Sequence, residues 1–485
     1  MVPPPVLPYS FRFGDSKRRG HMADAFDVVV IGGGPAGENA AGRTAAGGLS
    51  TALVETELLG GECSYWACIP SKALLRPPEV HWLARHSPGV REAVKKPLDA
   101  SEVLAFRDKM VHGYDDKGQA EWARNAKLEV VRGHGRLAGP KTVRVTTRDG
   151  GTRELTARRA VVLATGSRAR IPDIPGLREA KPWTNREGTG AKAVPRRLVV
   201  LGGGVVAAEL SQAWRSLGAE EVTLIQRGEH ILTRLEPFAA GLVEKALRES
   251  GVTLRTRTQV TRVQRPGGQG EVTLTLDSGE TLRADEVLAA LGREVATRDV
   301  GLETVGLTPG KPVEVDDLLR ARGVEGGWLY ACGDVNGRNL LTHMGKYQAR
   351  LAGDNILGRQ EEAWADVRAT PQVIFTHPQV GAVGLTEAEA RERGLPVRTV
   401  QVGLDSVAGT SLLGQGFDGG VKLVVDEQRR VLLGATFVGP GVGELLHAAT
   451  IAVAGEVPLD RLWHAVPSFP SVSEVWLRLL EAYGL

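Results

Sequence analysis

Two short apolar runs, each opened by a charged residue and ending in glycine, stand out along the chain. Asp27-Val28-Val29-Val30-Ile31 has the texture of a strand buried on both faces, and it leads into Gly32-Gly33-Gly34-Pro35-Ala36-Gly37. A helical stretch from Glu38 to Ala46 follows, then a second strand beginning at Thr51, with Glu55 at its end. The pattern returns at Arg197-Leu198-Val199-Val200-Leu201. There it runs into Gly202-Gly203-Gly204-Val205-Val206-Ala207, a helix through Leu217 and the strand Glu221-Val222-Thr223-Leu224-Ile225. The 170 residues between Gly32 and Gly202 are a domain's length, so two βαβ openings predict two doubly wound domains rather than a short-period repeat.

Further on, Trp328 to Val335 reads as a strand ending in Gly333-Asp334, with a helix from about Lys346. After Pro371 the texture alternates. Val397 to Val402 and Gly420 to Val425 read as antiparallel strands, with helical stretches near 443–453 and 473–483. The expected plan is α/β: residues 22–190 as a first nucleotide-binding domain, 191–310 as a second, 311–365 as a return to the first, and 366–485 as a C-terminal α+β domain. Residues 1–21 carry prolines and a short basic run, and are expected to be a disordered extension.

Composition narrows the function. The 485 residues are 42% hydrophobic and 24% charged, which excludes a disordered chain. A net charge of +3 with no basic stripe argues against a nucleic-acid partner. No apolar run is long enough to cross a membrane, so no membrane partner is expected. Three cysteines cannot staple a chain of this length, and their scarcity fits a reducing, cytoplasmic setting.

The first glycine cluster meets the requirements of a dinucleotide site. Gly32, Gly34 and Gly37 follow a strand and open a helix, and Glu55 lies at the next strand end, suited to a ribose hydroxyl. The second cluster, Gly202, Gly204 and Ala207, has Gln226 where an acid would hold the ribose of NAD. Arg227 follows it, which favours the 2′-phosphate of NADP, although Arg227 facing solvent is the alternative. Between the two clusters, Cys63 and Cys68 lie five residues apart. On an ideal helix that is a rise of about 7.5 Å, too far for a disulfide, so a bond needs a distorted first turn and would be readily reduced. Two free thiols or half a metal site are the other readings. Cys332 stands alone and completes no metal site.

Residues 60–72, Gly-Gly-Glu-Cys-Ser-Tyr-Trp-Ala-Cys-Ile-Pro-Ser-Lys, resemble the redox segment of the FAD-dependent pyridine nucleotide-disulfide oxidoreductases, such as dihydrolipoamide dehydrogenase, glutathione reductase and mercuric reductase. The likeness runs from about Phe26 to Leu485. It implies two Rossmann-like domains, for FAD and NAD(P), and a C-terminal dimerisation domain closing a homodimer. It also implies that Cys63 exchanges with substrate, that Cys68 lies against the flavin, and that Lys72 pairs with Glu209. FAD would be held by Gly32, Gly34, Pro35, Ala36, Gly37, Glu55, Gly61, Lys72, Ala164, Thr165, Gly166, Gly333, Asp334, Thr342 and His343. NADP(H) or NAD(H) would lie on Gly202, Gly204, Ala207, Gln226, Arg227 and Gly292.

The chain departs from this family at its end. Where disulfide-reducing members carry an acid–base histidine before Pro-Thr-x-x-Glu, this chain has Phe469, followed by Pro470, Ser471 and Glu474. His464, five residues upstream, does not align. The C-terminal cysteine pair of mercuric reductases is absent too. A positioned acid–base contributes typically about 10²–10⁴-fold, so weak turnover of small disulfides is expected. The acceptor is then a small-molecule disulfide, or a quinone or dye reduced directly from flavin. A third reading is a flavoprotein component of a larger assembly with little turnover. Tyr65 and Trp66 are either an aromatic platform for a planar acceptor or core packing.

Overall fold

The structure is a computed structural model and describes residues 24–485; the expected extension 1–21 lies outside the described residues. The first domain is built on five parallel strands. Their spatial order is Glu129–Leu137, β2 (Thr51–Glu55), β1 (Asp24–Ile31), Thr152–Leu163 and Leu329–Ala331. Thr142–Thr147 pairs antiparallel with both long strands and joins their outer halves. Val28, Val29, Val30 and Ile31 are 0–3% exposed, which is why this strand reads as an unbroken apolar run. Helix α1 (Pro35–Ala46) begins three residues earlier than the sequence pattern gave, because proline suits a first helical turn. It packs on the long helix α5 (Thr342–Ile356), which also starts earlier than expected, four residues before Lys346.

The second domain has four parallel strands in the order Glu286–Ala289, Arg197–Leu201, Glu221–Ile225 and Val252–Arg255, with a three-stranded antiparallel sheet beside them. A short ribbon, Ser167–Ala169 against Arg293–Val295, marks where the chain leaves the first domain and returns. This moves the expected boundaries. Leu177 and Ala180 pack with Val199, Val260 and Val287 in the second domain's core. Val300, Leu302 and Val313 pack into the first. The second domain therefore spans about 170–292 rather than 191–310. The connecting stretches lack periodicity, so their core could not be read from sequence.

The C-terminal domain is a five-stranded antiparallel sheet in the order Pro371–Ile374, Gln379–Gly384, Val431–Gly439, Gly420–Asp426 and Val397–Gly403. The two alternating segments pair directly, Val400 opposite Leu423. Val442–Ala454 and Val475–Tyr483 cover the sheet. Among the described residues no helix is long and apolar enough to cross a membrane, and no cluster of side chains has the makings of a metal site.

Candidate active site

A groove of about 660 Å³ runs along the carboxyl ends of the first domain's strands. Gly32, Gly34, Pro35, Ala36, Glu55, Gly61, Cys63, Ala164, Thr165, Gly166, Gly333, Asp334 and Thr342 line it. No side chain caps α1, so its first N–H groups are open to an anion at the groove's floor. Gly37 is required by packing: a Cβ there would lie 1.7 Å from the Gly32 carbonyl oxygen. Thr165 Oγ1 is buried in the groove wall with no hydrogen-bond partner among the described residues. Asp334 accepts from the Ser167 hydroxyl, which in turn accepts from Arg293 at 2.6 Å. Burial holds the Asp334 carboxyl above its usual range. An elongated groove with open helical N–H groups, an orphaned hydroxyl and two acids at its edges fits a dinucleotide such as FAD.

Four expected residues behave differently. Glu55 does lie at the end of β2, but its carboxylate already accepts from Gly33 N and Glu57 N, both at 2.6 Å. It therefore also shapes the glycine turn. His343 does not line the groove; its ring faces outward and meets the Pro371 carbonyl at 2.7 Å. Lys72 does not line the groove either. Gly292, expected at the nicotinamide-dinucleotide site, has φ +103, and its carbonyl accepts from Arg170 N at 2.9 Å beside the crossover ribbon.

The two cysteines come together through a break in the helix. α2 (Gly61–Tyr65) stops at Trp66, Ala67 leaves helical conformation, and α3 (Cys68–His86) begins at the second cysteine. The distortion required by the five-residue spacing is thus built in. The Cys63 and Cys68 thiols are hydrogen-bonded to each other, and Thr342 Oγ1 lies 3.3 Å from Cys68 Sγ. The Cys63 thiol, the Thr342 hydroxyl and the nearby charge of Lys72 pull the Cys68 thiol below its ordinary value, against its burial. The Cys63 thiol is pushed up, chiefly by donating to that same sulfur. The pair is therefore polarised, with the negative charge on Cys68.

Lys72, one turn into α3, is held by Glu209 at 2.8 Å. Glu209 lies on α4 (Val205–Ser216), the helix of the second glycine cluster, and is 3% exposed. Its other oxygen accepts from Phe375 N at 2.9 Å, so one carboxylate joins all three domains. α4 is also uncapped by any side chain. Gln226 lies over Gly203 and reaches the His230 carbonyl, and Arg227 is exposed beside it. Tyr65 is fully buried, with its hydroxyl 3.4 Å from the Asp115 carbonyl, which is packing. Trp66 is half-buried under the Arg186 guanidinium, 4.2 Å from the ring centre.

At the C-terminus Phe469 is 76% exposed, His464 is exposed, and Glu474 is buried. Glu474 pairs with Arg478 through one oxygen, and the other has no partner among the described residues. The sequence did not point to Arg293, to Gln348, which accepts from Gly333 N at 2.7 Å, or to Glu38. Only Glu38 had a visible signal, an acid immediately after a dinucleotide fingerprint.

Comparisons with known proteins agree with this arrangement. The family description pyridine nucleotide-disulphide oxidoreductase matches residues 26–350, and its dimerisation domain matches residues 370–479. Dihydrolipoyl dehydrogenase 3 of Pseudomonas aeruginosa is 34% identical over 468 residues, covering 93% of this chain and 97% of that protein. Mercuric reductase of Staphylococcus aureus is 30% identical over 454 residues, covering 93% of this chain and 81% of that one. Among solved structures, LpdA from Mycobacterium tuberculosis superposes with a TM-score of 0.83 at 25% identity, over 96% of this chain and 100% of that one. The HOCl-induced flavoprotein disulfide reductase RclA from Escherichia coli shares the fold, with a TM-score of 0.80 at 23% identity, over 94% of this chain and 99% of that one. With the family description and its dimerisation domain matching 26–350 and 370–479, and relatives 30% or more identical along nearly the whole chain, the protein belongs to the pyridine nucleotide-disulphide oxidoreductase family.

Proposed function

We propose that this protein takes two electrons from NAD(P)H and delivers them through Cys63 and Cys68 to a disulfide acceptor, working as a homodimer. The observation that carries the reading is the cysteine pair brought together at the helix break, with Cys63 in the wall of the dinucleotide groove. A flavin bound in that groove supplies two-electron transfer between a nicotinamide and the cysteine pair. The chain's own residues supply the rest. Asp334, Glu55 and the N-terminus of α1 hold and orient the dinucleotide. Lys72, fixed by Glu209, places a positive charge beside Cys68. Thr342 and Lys72 hold Cys68 as a thiolate, leaving the proton on Cys63. Gln226 and Arg227 favour the 2′-phosphate of NADPH, since no acid stands there to repel it.

Phe469 supports a second reading, transfer to quinones or dyes without use of the cysteines. Phenylalanine neither takes nor gives a proton, and a quinone reduced directly needs no exchange thiol. A panel of acceptors with purified, flavin-loaded protein separates the two. Disulfide reduction that is lost in Cys63→Ser while dye reduction persists supports the first reading. Disulfide reduction absent from the unmodified protein, with dye reduction vigorous, supports the second. In the same assays kcat/KM for NADPH should equal or exceed that for NADH, and Gln226→Glu should shift the preference toward NADH.

A further inference from the structure

Proline at position 70 removes a donor from the redox segment. In a continuous helix the Trp66 carbonyl would accept from the residue four places on, but that residue is Pro70, which has no N–H. The chain does not run straight there in any case. Trp66 stands at φ −134, ψ 3 and Ala67 at φ −136, ψ −96, and the helix resumes only at Cys68. One residue further on the ladder is restored, with Ser71 N donating to the Ala67 carbonyl at 3.1 Å. The Trp66 carbonyl, set between the two cysteines, must therefore find its donors outside the segment.

It finds two on the short helix Asn185–Gly190 of the second domain. Asn185 Nδ2 donates to the Trp66 carbonyl at 2.8 Å, and Thr189 Oγ1 donates to the same oxygen at 3.2 Å. Both side chains are buried. The Asn185 amide is fixed in its orientation, because its nitrogen also donates to Glu62 Oε2 at 2.8 Å and its oxygen accepts from Arg293 Nη1 at 3.3 Å. One side chain thus grips the redox segment on both sides of Cys63, at Glu62 before it and at Trp66 after it. The short helix is itself held from behind. Thr184 and Glu187 close its first turn, and Trp214 Nε1 from α4 donates to the Gly188 carbonyl at 3.0 Å. The fully buried Arg107 guanidinium donates to the Thr189 and Ala191 carbonyls. A side chain this constrained holds its partner in place rather than following it.

We propose that Asn185, with Thr189 beside it, is a positioning residue for the cysteine pair. By holding the Trp66 carbonyl it keeps the helix broken when the thiols are reduced, and so sets how readily the pair closes to a disulfide. This rests on the disulfide-reducing reading above. The oxidised pair needs the break, because an unbroken helix carries residues 63 and 68 too far apart to bond. The reduced pair has no covalent link to enforce it. There the two hydrogen bonds keep the thiols facing each other, which raises the effective concentration of one toward the other. Loss of a donor lets the reduced segment relax, and the balance moves toward the dithiol.

Exchange with dithiothreitol measures that balance. Each dithiothreitol gives two electrons and two protons, closing its own S–S bond as the Cys63–Cys68 bond opens to two thiols. Flavin-loaded protein is equilibrated without oxygen at fixed ratios of reduced to oxidised dithiothreitol, quenched with acid, alkylated in denaturant with N-ethylmaleimide and weighed by mass spectrometry. Asn185→Leu, similar in size but without donors, should shift the equilibrium constant about tenfold toward the dithiol, about 30 mV in potential. Thr189→Val should shift it the same way by about threefold, and Thr189→Ser, which keeps the hydroxyl, should match the parent. Should Asn185→Leu fail to fold, the Thr189 pair of variants decides. An equilibrium constant that is the same in the parent and in the variants without donors would overturn the proposal, even where thermal unfolding is lowered, since that leaves these side chains a packing role only. A parent protein whose two cysteines form no disulfide at any dithiothreitol ratio would instead overturn the reading on which the proposal rests.

Discussion

Cys68 is arranged to be a thiolate at neutral pH. The Cys63 thiol first, and Thr342 and Lys72 after it, lower it below its ordinary value against burial. The thiolate is therefore lost only as the solution is acidified below the ordinary thiol range. Absorbance of the reduced protein at 240 nm should titrate with a midpoint below that of an ordinary thiol. Thr342→Val, which keeps shape and removes one donor, should raise that midpoint by about one pH unit, the worth of one hydrogen bond to a charged group. A midpoint unmoved by the substitution would leave Thr342 with a packing role only. At this scale the sequence was informative where spacing and chemistry coincide, as in residues 60–72. It was silent where a role depends on which way a side chain turns. His343 and Thr342 are neighbours in sequence, yet one meets Pro371 and the other Cys68.

Among the elements, the junction of α1 and α2 allows least change. Gly61 has φ +57, and a side chain there would meet the Gly34 backbone. Gly61→Ala combines left-handed strain with an unyielding contact. It should destabilise the protein by about 1–3 kcal/mol and lower its retained flavin. Thermal unfolding and flavin content after gel filtration check both, and an alanine variant matching the parent in each would show that the junction can part. The two βαβ openings were legible because buried parallel strands followed by glycine leave a strong pattern. The helix break at Trp66–Ala67 was legible only as a requirement of the cysteine spacing. The crossover ribbon at Ser167 and Arg293 left no trace, because three-residue strands are too short to show alternation.

For the molecule as a whole, stability should fall on the acid side through one buried histidine. His377 is enclosed, with its backbone N–H and carbonyl both bonded to Gln212, at 2.8 and 2.9 Å. Burial lowers it from 6.5 to about 4. Between those values the unfolded chain binds a proton that the folded chain refuses, so stability drops as pH falls through that window, by roughly 3 kcal/mol. Urea midpoints at pH 7.5 and 5 should differ less in His377→Phe than in the parent; equal differences would place the acid sensitivity elsewhere. At this scale the α/β class and the C-terminal α+β unit were readable, because each has its own periodicity. Exposed Val466, Phe469, Leu412 and Ile451 on that C-terminal unit fit the partner surface of a homodimer.

Glu209 and Gln212 sit one turn apart on a single helix of the nucleotide domain. They fasten it to Lys72 in one neighbour and to residues 375 and 377 in the other. Anyone exchanging that domain to change coenzyme preference would be replacing a bracket as well as a binding site. A transplanted unit lacking equivalents of these two side chains would leave Lys72 unpaired and the 375–377 backbone groups unsatisfied. On the proposed NADPH reading, coenzyme choice is better redesigned at Gln226 and Arg227, since the bonds of Gln226 stay within its own domain and Arg227 is exposed.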